Sequence, residues 1–569
     1  MVLAAALVLC VNATAQQSTP SAEPTLAYRL TYDAEQPGAR WEIEIEGTGL
    51  ASIQGPLELR LDDWGEWTEV DSYHLPFLTC DPPVERAEEA RDRFALQVPA
   101  AWDGRLRAHY AISVTELGSN AREAHGLLPF RAPTYCMGFS SNTLMELESG
   151  GQPIAAQRTV SIVVSSDWTI ATGFGGVSSG QQTALLPAHF RNSAISFGRP
   201  VAFELADEAS QPIEIVQWGG ERNVTEPLER FARTFVSACT QSTGKPPTGA
   251  IRFLVTEPGF GGTRVDGALV IGCPNLLGPT PDPYTLHFLA HETFHDWLGG
   301  RLRPASGGES LAWFWEGFTE YLSLWHLAHS ELVPRSWFVE RLFDYDRELR
   351  DVPAWKTVAF ADPNVAWRDE ANEQVAYKGS PLLAFALDVA LRRAGRPGLV
   401  ELIHDLLEEP DGKYSLEILQ TWLELHDQGE LWQRSFAGIV RPDLRADLAF
   451  IGYEARTPVP LTYVGLSVDA NGAVTAIDPK GPCAASGIQL GDRIFGRFPT
   501  PSVKPEIGSE VTTTYRFGLD GFEPGEPDAF LDVHRGTEEL RIHFTPRLMP
   551  GGYRAGFAKD DPRAAAFFR

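Results

Sequence analysis

The chain has 569 residues, 43% apolar and 22% charged, an ordinary globular composition with length for about three domains. Its 75 acidic and 48 basic residues leave a net charge of −27, which argues against a nucleic-acid partner, because phosphate binding needs a basic face. After the first residues no apolar run approaches the roughly 18 positions of a bilayer helix, so no integral membrane span is expected.

In chain order, residues 1–15 form a short apolar run ending in Ala13-Thr14-Ala15. This reads as a secretory leader with an A-x-A cleavage site, implying a secreted or periplasmic protein. Residues 16–24 are a polar, disordered lead-in. Residues 25–222 carry short alternating runs such as Trp41-Glu-Ile-Glu-Ile-Glu46, punctuated by Gly and Pro, and predict an antiparallel β domain. Gly176-Val-Ser178-Ser-Gly180 matches GxSxG formally, but lacks the strand before and helix after of a serine-hydrolase nucleophile. The period turns helical at Pro227. The segment 223–455 predicts an α-rich catalytic domain with strands at 252–256 and 268–272 and helices at 335–349, 382–393, 398–408 and 416–425. A β-rich segment at 456–548 follows, then a C-terminal tail at 549–569. Five cysteines remain after the leader, none in a CxxC pair, which excludes a Cys₄ zinc site. Cys80–Cys136 and Cys239–Cys273 are candidate disulfides, with Cys483 a small core residue.

The most informative stretch is His291-Glu292-Thr293-Phe294-His295, a complete HExxH motif. Imidazoles four residues apart stand on one helix face and can grip one Zn²⁺, while Glu292 can act as base on a metal-activated water. Flanking apolar residues extend the helix through Leu298, and Gly299-Gly300 closes it. A catalytic zinc needs a third protein ligand and one open position. The segment Trp313-Phe-Trp-Glu316-Gly-Phe-Thr-Glu320 supplies two carboxylates one turn apart, with 20 residues between His295 and Glu316, room for a turn and a returning helix. Glu316 is the favoured ligand. Glu309 falls in the turn, and Glu320 is better placed to orient a ligand histidine. His287 suits a core or outer-shell role, and His326 and His329 solvated or structural ones.

HETFHDW followed by WFWEGFTEYLS resembles the gluzincin metallopeptidases, and within them the bacterial glycyl aminopeptidase family, whose members carry a C-terminal PDZ domain. Tyr377-Lys378-Gly379 through Asp388 is similar to that family's "KG…LD" helix, and Gly481 to Ile494 resembles its PDZ signature. The resemblance implies a thermolysin-like zinc peptidase domain. It also implies a substrate-binding strand at Gly261, Gly262 and Arg264, a transition-state phenol, and a loop at Val464, Gly465 and Leu466 that captures a peptide C-terminus. Two positions depart from the family pattern. Arg264 stands where the family's Glu would hold a substrate α-amine, so it is expected to disfavour an ammonium or to accept a carboxylate. The family's tyrosine position is Ala376, with Tyr377 one residue later; Tyr377 either reaches the oxyanion through a local bend or is a structural residue.

The expectation is therefore a multidomain α+β protein with an N-terminal antiparallel β domain, an α-rich thermolysin-like zinc peptidase domain and a C-terminal PDZ-like β domain. One Zn²⁺ per chain is held by His291, His295 and Glu316. Glu292 is the base for peptide hydrolysis, and the partner is a peptide or protein substrate. The competing expectation is a non-catalytic peptide-binding protein on a peptidase scaffold.

Overall fold

The computed structural model of the chain describes residues 23–33, 40–61, 78–86, 93–116, 129–186, 190, 192–206, 211–220, 223–256, 262–272, 281, 283–305, 311–349, 352–360, 370–409, 412–453, 459–463, 465–468, 473–497, 529–536, 538–545, 547–554 and 562–568. The leader, Gly261, Cys273, Glu309 and Val464 lie outside them. No helix among the described residues is long and apolar enough to cross a membrane. The chain divides into two compact units, Met1–Arg199 and Pro200–Arg569.

The first unit is built of β-sheets because its strands alternate. In Arg40–Thr48 (RWEIEIEGT) every second residue is buried, and Trp41, Ile43 and Ile45 form one inward face. Register extends that face sideways: Ile43 lies opposite Leu30 and Tyr110, and Ile45 opposite Tyr28 and Ala108. The resulting six-stranded sheet runs Gln181–Leu185, Gln157–Val163, Thr25–Thr31, Arg40–Thr48, Leu106–Ser113, Leu78–Asp81. Thr25–Thr31 pairs with Gln157–Val163 in parallel, so this sheet is mixed rather than purely antiparallel. A second six-stranded sheet and a five-stranded sheet complete the unit.

The candidate Cys80–Cys136 disulfide does not form, and the formal GxSxG match at Ser178 has no nucleophile elbow, as its sequence context indicates. Cys80 and Cys136 are free thiols on different sheets, and Cys136 is buried in the core, where desolvation pushes its thiol up to about 12. Cys239 is likewise a buried free thiol. Ser178 sits in the strand Gly176–Ser179, hairpinned to Thr169–Thr172, with its hydroxyl accepting from Gln182; this is not a strand–turn–helix elbow.

The second unit opens with a five-stranded sheet in the order Ala202–Ala206, Ile213–Gln217, Ile251–Val255, Ala268–Ile271, Gly262–Val265. The two leading strands, which in sequence continue the alternation of the β region, pair here with the sheet beneath the helices. Helix α1 (Thr225–Thr243) buries Leu228, Phe231, Ala232, Phe235, Val236 and Cys239, a stripe at helical spacing. Stacked Phe231 and Phe235 each contribute about 1.5–3 kcal/mol of burial to it. Helices α2 (Pro283–Phe294), α3 (Ala312–His329), α4 (Arg335–Leu349), α5 (Pro353–Thr357), α6 (Glu370–Gln374), α7 (Ser380–Arg393) and α8 (Leu399–Glu408) follow around one aromatic-rich core.

Beyond them lies a small C-terminal β region whose three-stranded antiparallel sheet is formed by Arg493–Arg497, Ala529–Arg535 and Glu538–Phe544. The expected tail is more structured than its sequence suggested. Arg547–Arg554 is a strand paired with Val459–Tyr463, and Pro562–Phe567 is a short helix. Phe567 and Phe568 return to the helical core against Phe338 and Phe385, where Arg392 lies 4.6 Å from the Phe567 ring.

Candidate active site

Helix α2 starts at Pro283, whose missing N–H costs nothing at a helix start, and it is buried on nearly every side. The helix stops at Phe294, short of the expected Leu298. The chain tightens there through bonds from Asp296 N–H to the Thr293 carbonyl and from Trp297 N–H to the Phe294 carbonyl. His295 thus sits one residue past the helix, and its Nδ1 is 3.0 Å from the Leu298 carbonyl. Helix α3, apolar almost all round, runs beside α2 and brings Glu316 to the two imidazoles.

The three side chains converge closely. His291 Nε2 and His295 Nε2 are 3.2 Å apart, and Glu316 Oε2 lies 3.2 Å from the first and 3.4 Å from the second. Ligands at zinc's usual bond lengths in a tetrahedral shell stand about 3.3 Å from one another, so this triangle fits the ion. The tautomers agree: both Nδ1 atoms face outward to acceptors, leaving both Nε2 lone pairs for a metal. Burial would raise the Glu316 carboxyl, but His295 and His291 hold it well below the usual range. Burial works against a charged His291, yet Glu316 and Glu320 on its two nitrogens raise its pKa well above the ordinary imidazole value.

Around the triad stands a polar shell. His291 Nδ1–H donates to Glu320 Oε2 at 2.7 Å, and Tyr345 of α4 donates to Glu320 Oε1. Arg341, one turn earlier, donates to the Tyr345 hydroxyl at 3.2 Å and lies over the Tyr345 and Tyr284 rings. His287 Nε2 bonds the Glu320 carbonyl at 3.2 Å, and burial pushes its pKa down to about 4. Tyr345 and Arg341 were not identified from sequence, since their spacing marks only an ordinary helix. His326 and His329 are structural: the first bonds Ser242 and the Leu322 carbonyl, the second the Phe568 carbonyl.

Glu292 is half-buried, desolvation raises its pKa, and its Oε2 accepts the Arg264 backbone N–H at 2.8 Å. Arg264 lies on the edge strand Gly262–Val265, which approaches α2 closely because Gly262 has no side chain. A Cβ there would stand 2.5 Å from the Phe288 ring. The Arg264 side chain departs from expectation. Its guanidinium donates to the Asp296 carboxylate and to the Val265 and Ala268 carbonyls, so neither repulsion of an ammonium nor capture of a carboxylate describes its position.

Tyr377 lies on a π-helical turn, Val375–Gly379, between α6 and α7. Such a turn carries one extra residue and re-aims the side chains on it, so the chain bends locally at Tyr377. The Tyr377 ring is 6.3 Å from the His291 ring, and burial together with Glu316 and Glu292 pushes its pKa well up, so it is a neutral phenol bonded to Glu316. Gly317 permits this approach: a Cβ there would lie 2.0 Å from Ser380 Cβ and 2.8 Å from the Ala376 carbonyl oxygen. Gly317→Ala is therefore expected to cost about 1–3 kcal/mol of stability. It should also lower activity by up to roughly 10²-fold at full zinc loading, through displacement of the π turn. Thermal unfolding and kinetics on the zinc-loaded variant check this.

Residues 284–378 match the model of the M61 glycyl aminopeptidase family. An aminopeptidase N family protein from Idiomarina loihiensis is structurally similar, with TM-score 0.67 and 15% identity over 96% of this chain and 100% of its own. A mutant M1 zinc metallopeptidase from Deinococcus radiodurans, bound to a Tyr-Ser-Ala substrate, gives TM-score 0.50 and 16% identity over 74% of this chain and 96% of its own. No curated protein sequence matches the chain. The segment bearing the site is that of a gluzincin-type metallopeptidase, and His291, His295 and Glu316 are its zinc-binding triad.

Proposed function

We propose that the chain hydrolyses peptide bonds, with Glu292 as general base and general acid. The observation that carries this reading is the compact His-His-Glu triangle with the Glu292 carboxylate beside it. Zinc held by the triad supplies a Lewis acid that lowers the pKa of water and polarises a carbonyl. Glu292 takes the proton of the attacking water and delivers it to the departing amine. Tyr377, a neutral O–H donor, stabilises the oxyanion as it forms. The edge strand Gly262–Val265 pairs with the substrate main chain by strand addition, and Glu320 orients His291.

Removal of N-terminal residues is the mode that the family match favours. The electrostatic objection to a substrate ammonium weakens because Asp296 neutralises Arg264. The C-terminal β region serves as a PDZ-like module that takes a peptide C-terminus near Gly465 and Leu466, supported by the signature from Gly481 to Ile494. The test compares each peptide of a library with its N-acetylated counterpart on the zinc-loaded protein. Acetylation is expected to abolish cleavage. Equal cleavage of both forms rejects the N-terminal mode, and cleavage of neither favours the peptide-binding alternative.

A further inference from the structure

Arg264 and Asp296 form a buried ion pair, with side chains 15% and 7% exposed, between the edge strand and the turn that carries His295. The same guanidinium bonds the carbonyls of Val265 and Ala268, tying together the hairpin that joins the edge strand to its neighbour. The backbone N–H of this one residue is the group that bonds the Glu292 carboxylate. One residue therefore fastens the strand to the zinc-site turn through its side chain and reaches Glu292 through its main chain.

We propose that the Arg264–Asp296 pair is a positioning device for Glu292, resting on the peptidase reading above. Asp296 anchors the guanidinium, the guanidinium fixes the hairpin tip, and the tip presents the Arg264 N–H at the distance that holds one carboxylate oxygen still. Both side chains act through Glu292.

A pair that only stabilises the fold predicts a different response from one that positions a base. Removing one partner strands a buried charge, which is destabilising in either case, whereas replacing both with apolar residues of similar size removes that penalty. The test therefore uses Asp296→Asn, Arg264→Lys and the double variant Arg264→Met with Asp296→Leu. Zinc content, thermal unfolding, kcat and KM are measured for each.

In the double variant we expect wild-type zinc content and near wild-type stability, with kcat about tenfold to 10²-fold lower and KM nearly unchanged, because only the aim of the base is lost. Arg264→Lys is expected to recover part of kcat, keeping the charge but not the fork that reaches the hairpin carbonyls. A double variant whose kcat returns with its stability, or one altered in KM alone, overturns the proposal. A second readout needs no activity: amide hydrogen exchange across 262–265 in the metal-free protein is expected to speed up about tenfold in the double variant, reflecting local opening. Unchanged exchange also overturns it. Wild-type protein that cleaves nothing while exchange responds as expected would instead count against the peptidase reading and leave the clamp standing.

Discussion

Glu316→Ala is expected to lose zinc far more readily than any variant of the surrounding shell. The triad holds the ion through Nε2 of His291, Nε2 of His295 and Oε2 of Glu316, all within 3.4 Å of one another. Deleting the carboxylate leaves two neutral ligands and removes the only anion among them. Glu320→Ala leaves all three ligands and removes only the acceptor on His291 Nδ1, so it should cost roughly 10–100-fold in affinity, the usual range for an outer partner. Glu316→Ala should exceed that loss. Competition against a graded series of chelators measures both variants on one scale. Glu316→Ala with normal zinc affinity, beside Glu320→Ala without it, would reverse the assignment of the two carboxylates.

Sequence reading located the triad because its information is local. Two histidines four apart and a carboxylate on a returning helix define a site before any tertiary contact is known. Glu320 was legible for the same reason, one turn from Glu316 and pointed at the same partner. Helix extents largely followed from apolar period, although α2 ended early because the turn after Phe294 uses shorter-range backbone bonds. What escaped was whatever depends on contacts distant along the chain. Arg264 displayed its charge in the sequence, but not that Asp296, 32 positions later, would neutralise it. Alternation in Ala202–Ala206 and Ile213–Gln217 signals strands without saying which sheet they join. The π turn leaves no mark on hydrophobic period. Gly317 gave no hint that its missing side chain admits Ser380 and the Ala376 carbonyl. The helix Pro562–Phe567 is too short to stand out by period, and only its burial against Phe338 and Phe385 accounts for it.

Glu292→Gln is the second large effect, and it separates chemistry from metal binding. Gln is nearly isosteric, still accepts the Arg264 N–H through its carbonyl oxygen, and touches none of the three ligand atoms. Zinc content and thermal stability should stay at wild-type values. What is lost is the basic oxygen that receives the proton, and kcat should fall roughly 10²–10⁴-fold with little change in KM. The most direct test of the account is therefore peptide hydrolysis by Glu292→Gln and wild type at one zinc per chain, measured side by side on the same substrate. The account predicts equal zinc and a loss of kcat in that range; a zinc-loaded Glu292→Gln that hydrolyses the peptide as fast as wild type would contradict it.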